Sequence, residues 1–132
     1  VISKLKRAME RDPTYLSVVE DLAYVYVQQE KLSLAESVLS TGLMQVKDWA
    51  PGYWQRGEVR FQLRNYDLAE IDLRKAIELA PSAAPPKFAL AQLLFEQKKS
   101  LAEALELAET VNRLTPKAKY HQLWLDVKNY ID

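Results

Sequence analysis

The chain has no cysteine, which excludes disulfides, thiolate metal sites and a cysteine nucleophile together. Its one histidine, His121, would need carboxylates to complete a metal site. The nearest in sequence, Asp126, is five residues away and poorly matched to one helical face. A lone histidine equally leaves no Ser-His-Asp arrangement to argue for. The three glycines, Gly42, Gly52 and Gly57, are isolated, so there is no glycine-rich phosphate loop and little scope for hairpins. Charge of one sign is also missing: 18 basic residues balance 18 acidic ones, which leaves no net field to draw nucleic acid or an anionic membrane. No apolar run approaches the roughly eighteen residues that span a bilayer, and the N-terminus lacks the basic region and apolar core of a signal peptide. Paired carboxylates such as Glu20 and Asp21 fall in helical patterns without a matching polar pocket and read as a solvated face. The expectation is a chain without catalytic residues, cofactor or metal, and without direct membrane insertion. The compartment stays open, because a cysteine-free chain suits cytosol and cell envelope alike.

What the chain does contain is a ruler. Steps of 34 from Pro13 reach Lys47 and Pro81, and a slightly longer step reaches Pro116. The same ruler takes Ala8 to Gly42, Ala76 and Val111, takes Ala23 to Gly57 and Ala91, and takes Ala35 to Ala69 and, one residue late, Ala104. Small residues thus recur where packed helices would touch. The prolines at 13, 51, 81, 85, 86 and 116 fall at helix ends, and no segment has strand periodicity. At 132 residues, 48% hydrophobic and 27% charged, one all-α architectural unit is expected, burying roughly two-thirds of its unfolded surface.

The stretch APGYWQRGEVRFQLRNYDLAEIDLRKAIELAP, residues 50 to 81, carries Tyr53, Gly57, Phe61, Tyr66, Ala69, Ala76 and Pro81. With the 34-residue period it resembles the tetratricopeptide repeat, a helix-turn-helix unit that stacks on its copies. The resemblance implies an all-α, right-handed superhelix (an α-solenoid) of antiparallel helix pairs with about seven to eight helices. Residues 1–13 would be the second helix of a truncated repeat ended by Asp12 and Pro13, and the chain a segment of a longer protein. Full repeats would occupy 16–49, 50–83 and 84–118, and 119–132 would form a terminal helix presenting Tyr120, Leu123, Trp124, Val127 and Ile131. The second helices open on Ser33-Leu-Ala-Glu36, Asp67-Leu-Ala-Glu70 and Ser100-Leu-Ala-Glu103, words that predict capping boxes. The third word comes 33 residues after the second, whereas Pro116 comes 35 after Pro81. The expectation is a third second-helix longer by up to two residues, with Ala104 keeping the core register.

In the family it resembles, first helices line a concave groove that takes an extended peptide or a partner helix. Carried over residue by residue, that groove comprises Glu20, Tyr24, Gln28, Trp54, Gln55, Glu58, Phe61, Gln62, Phe88, Gln92, Phe95 and Glu96. Trp54 and Phe88 are the aromatic anchors expected there, whereas Phe61 and Phe95 read equally as groove residues or as packing between repeats. One group of these repeats grips the acidic C-terminal tail of chaperones with Lys, Asn and Arg. The matching places here hold Glu20, Tyr24, Gln55, Pro85 and Ala89, which disfavours a ligand ending in Glu-Glu-Val-Asp. The implied function is non-catalytic protein binding or scaffolding with an apolar or basic, rather than acidic, protein or peptide partner. The alternatives are a structural spacer within a larger cell-envelope protein, for secretion or polysaccharide export, and a regulatory domain attached to an enzyme. Arg56 and Asp72 form a separate pair. The outer repeats hold Leu22 with Val38 and Leu90 with Leu107 at these places, so the joint switch predicts a buried salt bridge.

Overall fold

The computed structural model describes residues 2–12 and 15–132, so Val1, Pro13 and Thr14, and with them the helix stop assigned to Pro13, lie outside the described residues. Eight helices are present among them: α1 (Ile2–Arg11), α2 (Leu16–Gln28), α3 (Leu32–Gln45), α4 (Ala50–Gln62), α5 (Tyr66–Leu79), α6 (Ala84–Glu96), α7 (Leu101–Leu114) and α8 (Ala118–Ile131). No described residue is in a strand. The helices divide into two compact units, Val1–Leu79 and Ala80–Asp132.

In the first unit each helix packs on the next, from α1 through α5. Val19, Leu22, Ala23 and Tyr26 of α2 meet Ala35, Val38, Leu39 and Leu43 of α3, with Trp49 and Val59 closing the cluster. Ile2, Leu5 and Met9 of α1 lie against it only partly buried, and α1 has no fully buried residue. The small residues of the ruler sit at helix contacts. A Cβ on Gly57 would lie 2.9 Å from Leu73 of α5, and one on Gly42 would lie 2.9 Å from Trp49 and 3.2 Å from Val19. Trp49, 7% exposed, fills the space that Gly42 and Gly52 leave open.

In the second unit α6 packs on α7, α7 on α8, and α6 also touches α8. Leu90, Ala91, Leu93 and Leu94 of α6, Ala104, Ala108 and Val111 of α7, and Tyr120, Leu123 and Val127 of α8 are buried. The terminal helix is narrower in its contact than its spacing suggests: Trp124 is half-buried and Ile131 is exposed.

The turns inside each pair obey the ruler too. Glu30, Arg64 and Lys98, each 34 apart, take left-handed backbone with φ of 60°, 65° and 51°. The following amides of Lys31, Asn65 and Lys99 donate to the carbonyls of Tyr26, Arg60 and Leu94 at 2.8, 2.9 and 3.0 Å, which closes each first helix with a Schellman-type bond. Two sequence expectations need correction here. The second helices α3, α5 and α7 all have 14 residues, so the third is not longer. The extra residue lies in the turn, which runs 97–100 rather than three residues as in 29–31 and 63–65, and Ser100 accommodates it at φ 49°. The capping boxes at Ser33 and Ser100 do not form: α3 already starts at Leu32, and neither helix has a side-chain cap hydrogen bond. Ala104, 0% exposed like Ala35 and Ala69, does hold the core register.

Candidate functional site

Two polar arrangements flank α4, and they use opposite faces of it. Toward α3 and α5, Arg56 makes a two-pronged contact with Asp72, Nε to Oδ2 and Nη2 to Oδ1, both at 2.8 Å. Asp72 is 1% exposed, so the salt bridge read from the joint switch is present and buried. It belongs to a larger network. Arg60, one turn along, donates from Nη1 to the same carboxylate at 3.0 Å and from Nε to Glu36 at 2.8 Å, while Nη1 of Arg56 donates to Ser40 at 3.1 Å. Burial by itself lowers the Arg56 pKa, but the hydrogen bond and charge of Asp72, with smaller contributions from Tyr53 and Glu36, together hold the group above its ordinary value. Sequence reasoning missed Arg60, Glu36 and Ser40. The available signal was spacing, since Arg60 follows Arg56 by four on one helical face and Ser40 follows Glu36 likewise.

On the other face, α4 and α2 enclose a cavity of about 240 Å³. Glu20, Ala23, Tyr24 and Val27 come from α2, Trp54, Gln55, Glu58, Val59 and Gln62 from α4, and Leu39 of α3 completes the wall. The i, i+3, i+4 and i+7 spacing of the α2 residues puts them on one stripe. Gln55 Nε2 donates to Glu20 Oε1 at 3.2 Å and ties the two stripes together. Tyr24 is 65% exposed, and no Lys or Arg lines the cavity. The indole Nε1 of Trp54 is buried without a hydrogen-bond partner.

Six residues of the expected groove thus meet at this cavity: Glu20, Tyr24, Trp54, Gln55, Glu58 and Gln62. Gln28 is exposed outside it, and Phe61 packs edge-on against Tyr66 with ring centroids 5.7 Å apart. The remaining four lie on α6 of the second unit, where Gln92 and Glu96 are exposed. Phe95 packs edge-on against Tyr130 under the Lys98 ammonium, 3.6 Å from the ring centroid. Phe88 requires a correction as an anchor. It is 9% exposed and stacks on Tyr120 of α8 at 4.7 Å, so its ring area is already spent inside the unit. His121 is an exposed residue beside Asn112 and Trp124. Among the described residues no group of three or more His, Cys, Asp or Glu could hold a metal ion, and no helix is long and apolar enough to cross a membrane.

Comparison with known proteins agrees with the fold. Residues 50–82 match the family described as tetratricopeptide repeat. RNA polymerase II-associated protein 3 of Xenopus laevis is 27% identical over 109 residues, which is 83% of this chain and 16% of that protein, so the chain spans about one-sixth of the curated relative it matches. The first tetratricopeptide domain of Spaghetti, solved bound to the HSP90 peptide SRMEEVD, superposes with a TM-score of 0.81 at 20% identity over 86% of this chain and 90% of that one. A thermophilic tetratricopeptide protein of Thermus thermophilus superposes with a TM-score of 0.78 at 27% identity over 94% of this chain and 71% of that one. Helix pairs of this length, turns repeating every 34 residues, small residues at the contacts and these likenesses converge: residues 50–82 are a tetratricopeptide repeat, and the chain has the all-α fold of tetratricopeptide-repeat proteins.

Proposed function

We infer that the chain is a non-catalytic protein-interaction module that seats a segment of a partner protein in the cavity between α2 and α4. The observation that carries the reading is the cavity itself, a concave, largely apolar site with two aromatic rings and a few convergent polar groups, all supplied by regular helices. The likeness to a Spaghetti domain solved with a peptide bound supports a peptide as the kind of occupant. The chemistry of that peptide does not transfer. The acidic tail SRMEEVD calls for cationic partners, whereas the lining of this cavity includes Glu20 and Glu58 and no Lys or Arg, so the partner here is apolar or basic. Trp54 is the anchor, because buried aromatic contacts dominate binding energy at such sites.

The test is a peptide array probed with the whole chain. Apolar and basic peptides are the expected selection, and Trp54→Ala is expected to weaken the best of them by about 2 kcal/mol or more. Selection of acidic peptides, or unchanged affinity in a folded Trp54→Ala protein, would overturn the assignment.

A further inference from the structure

Apart from the α2 and α4 cavity, we propose that the open face of α1 docks an acidic amphipathic helix of a partner protein, laid antiparallel along Lys4, Leu5, Arg7, Ala8 and Arg11. The 34-residue ruler takes Lys4 to Val38 and Asp72, Leu5 to Leu39 and Leu73, and Ala8 to Gly42 and Ala76. In α3 and α5 all of these places are buried, and the first helix of each pair contributes to covering them. A Cβ on Gly42 would lie 3.2 Å from Val19 of α2, one on Gly57 of α4 would lie 2.9 Å from Leu73, and Arg56 of α4 grips Asp72. At α1 the same places are open: Lys4 is exposed, and Leu5 and Ala8 are only half-buried. Lys4, Arg7, Ala8 and Arg11 follow i, i+3, i+4, i+7 spacing and so form one stripe. With Leu5 they line a depression of about 440 Å³.

Charge selects the occupant. Lys4, Arg7 and Arg11 are exposed, and none of them makes an ion pair with another described residue. At the Lys4 place α5 holds Asp72, which is met by guanidiniums of α4; a cation at that place calls for carboxylates from its cover. Antiparallel docking also sets the N-terminus of the incoming helix near Arg11, where its own acidic residues are favoured. A second copy of this chain fits worse. Its α8 starts at Ala118, in register with α2, α4 and α6 at Leu16, Ala50 and Ala84, so the places of Arg56 and Arg60 hold Trp124 and Lys128. Lys128 would then meet Lys4, a juxtaposition of like charges. An anionic membrane fits worse too, because Ile2 and Met9, the apolar residues that would insert, are already packed toward the core of α2 and α3.

The test uses the whole chain, labelled with ¹⁵N, and two hydrocarbon-stapled amphipathic helices of alanine and leucine that differ only in carrying glutamate or glutamine beside the leucine stripe. The glutamate helix is expected to shift the Leu5 and Ala8 signals and to bind about fivefold or more tighter than the glutamine helix, as modest surface ion pairs to Lys4, Arg7 and Arg11 imply. Its advantage should shrink as salt rises. The Lys4→Glu, Arg7→Glu, Arg11→Glu protein, changed only at exposed positions, is expected to prefer the glutamine helix. Equal affinities for the two helices, or no binding of either, would overturn the proposal. Shifts at Tyr24 and Trp54 in place of Leu5 and Ala8 would overturn it as well and leave the cavity reading standing. Sedimentation of the chain alone is expected to show a monomer. A dimer whose formation shifts Leu5 and Ala8 would give the face to a second copy, and broadening of those signals by phosphatidylserine vesicles, with no response to either helix, would give it to a membrane.

Discussion

Asp72 is the residue whose environment departs furthest from its chemistry, a carboxylate 1% exposed among helix contacts. It is tolerable there because three guanidinium nitrogens reach it, two from Arg56 and one from Arg60. The pair was legible in the sequence because both partners change together against leucine and valine in the neighbouring repeats. The remainder of the network was not, since Glu36 also fits the pattern of a helix cap and its Arg60 contact spans 24 positions. The prediction is asymmetric. Arg56→Leu alone should destabilise by about 3 to 5 kcal/mol, nearer the lower figure because Arg60 stays, whereas Arg56→Leu with Asp72→Leu should be close to neutral. Urea titrations of the wild type, both single variants and the double variant measure this, and a single variant as stable as wild type would refute it. As for pH, a cation whose folded pKa is raised contributes stability that is complete below its unfolded pKa and fades only as pH rises through the folded one. For Arg56 that window is strongly alkaline, so its contribution is constant across neutral pH.

Among the elements, the helices and their contact faces were readable, because proline positions and a 34-residue recurrence of small residues are properties of the sequence alone. Helix starts and the turns were not. Ser33 and Ser100 have the cap residue type, yet whether a cap forms depends on where the preceding turn delivers the chain, and the left-handed residues Glu30, Arg64 and Lys98 carry none of the usual Gly or Asn signature. Holding a side-chain-bearing residue in that region is unfavourable. Arg64→Gly is therefore expected to stabilise by about 0.5 to 1 kcal/mol, net of the added freedom of the unfolded chain. A rise in urea midpoint at unchanged slope confirms it, and a fall would mean that the Arg64 side chain contributes more than its backbone strain removes. A second prediction belongs to α1. With Ile2, Leu5 and Met9 only partly buried, it should exchange amide hydrogens well before residues 67 to 79 of α5, whose Ala69, Leu73 and Ala76 are 0% exposed. Equal protection would show that α1 opens only with its whole unit.

At the scale of the whole molecule the notable property is balance, 18 charges of each sign, which denies the protein a long-range field. The fold was legible at this scale because a repeat writes its architecture several times over. The site was legible only in part, because a groove carried over by repeat register cannot tell which aromatics are consumed inside the fold: Phe88 is taken by Tyr120 and Phe61 by Tyr66, while Trp54 and Tyr24 reach the cavity. Neutrality also constrains how a partner arrives. Any steering must come from charges local to the cavity, and Asp21, exposed on α2 one residue from Glu20, is such a charge outside the lining itself. Exposed rim charges act on encounter more than on the bound state, and screening confines them to about 10 Å at 0.1 M salt. Asp21→Lys should therefore lower the association rate constant for a basic peptide by about two- to threefold and leave its dissociation rate unchanged. Stopped-flow binding of the tightest array peptide at low and high salt measures both constants. The two proteins should converge in association rate as salt rises, and a change confined to dissociation would instead place Asp21 in direct contact with the bound segment.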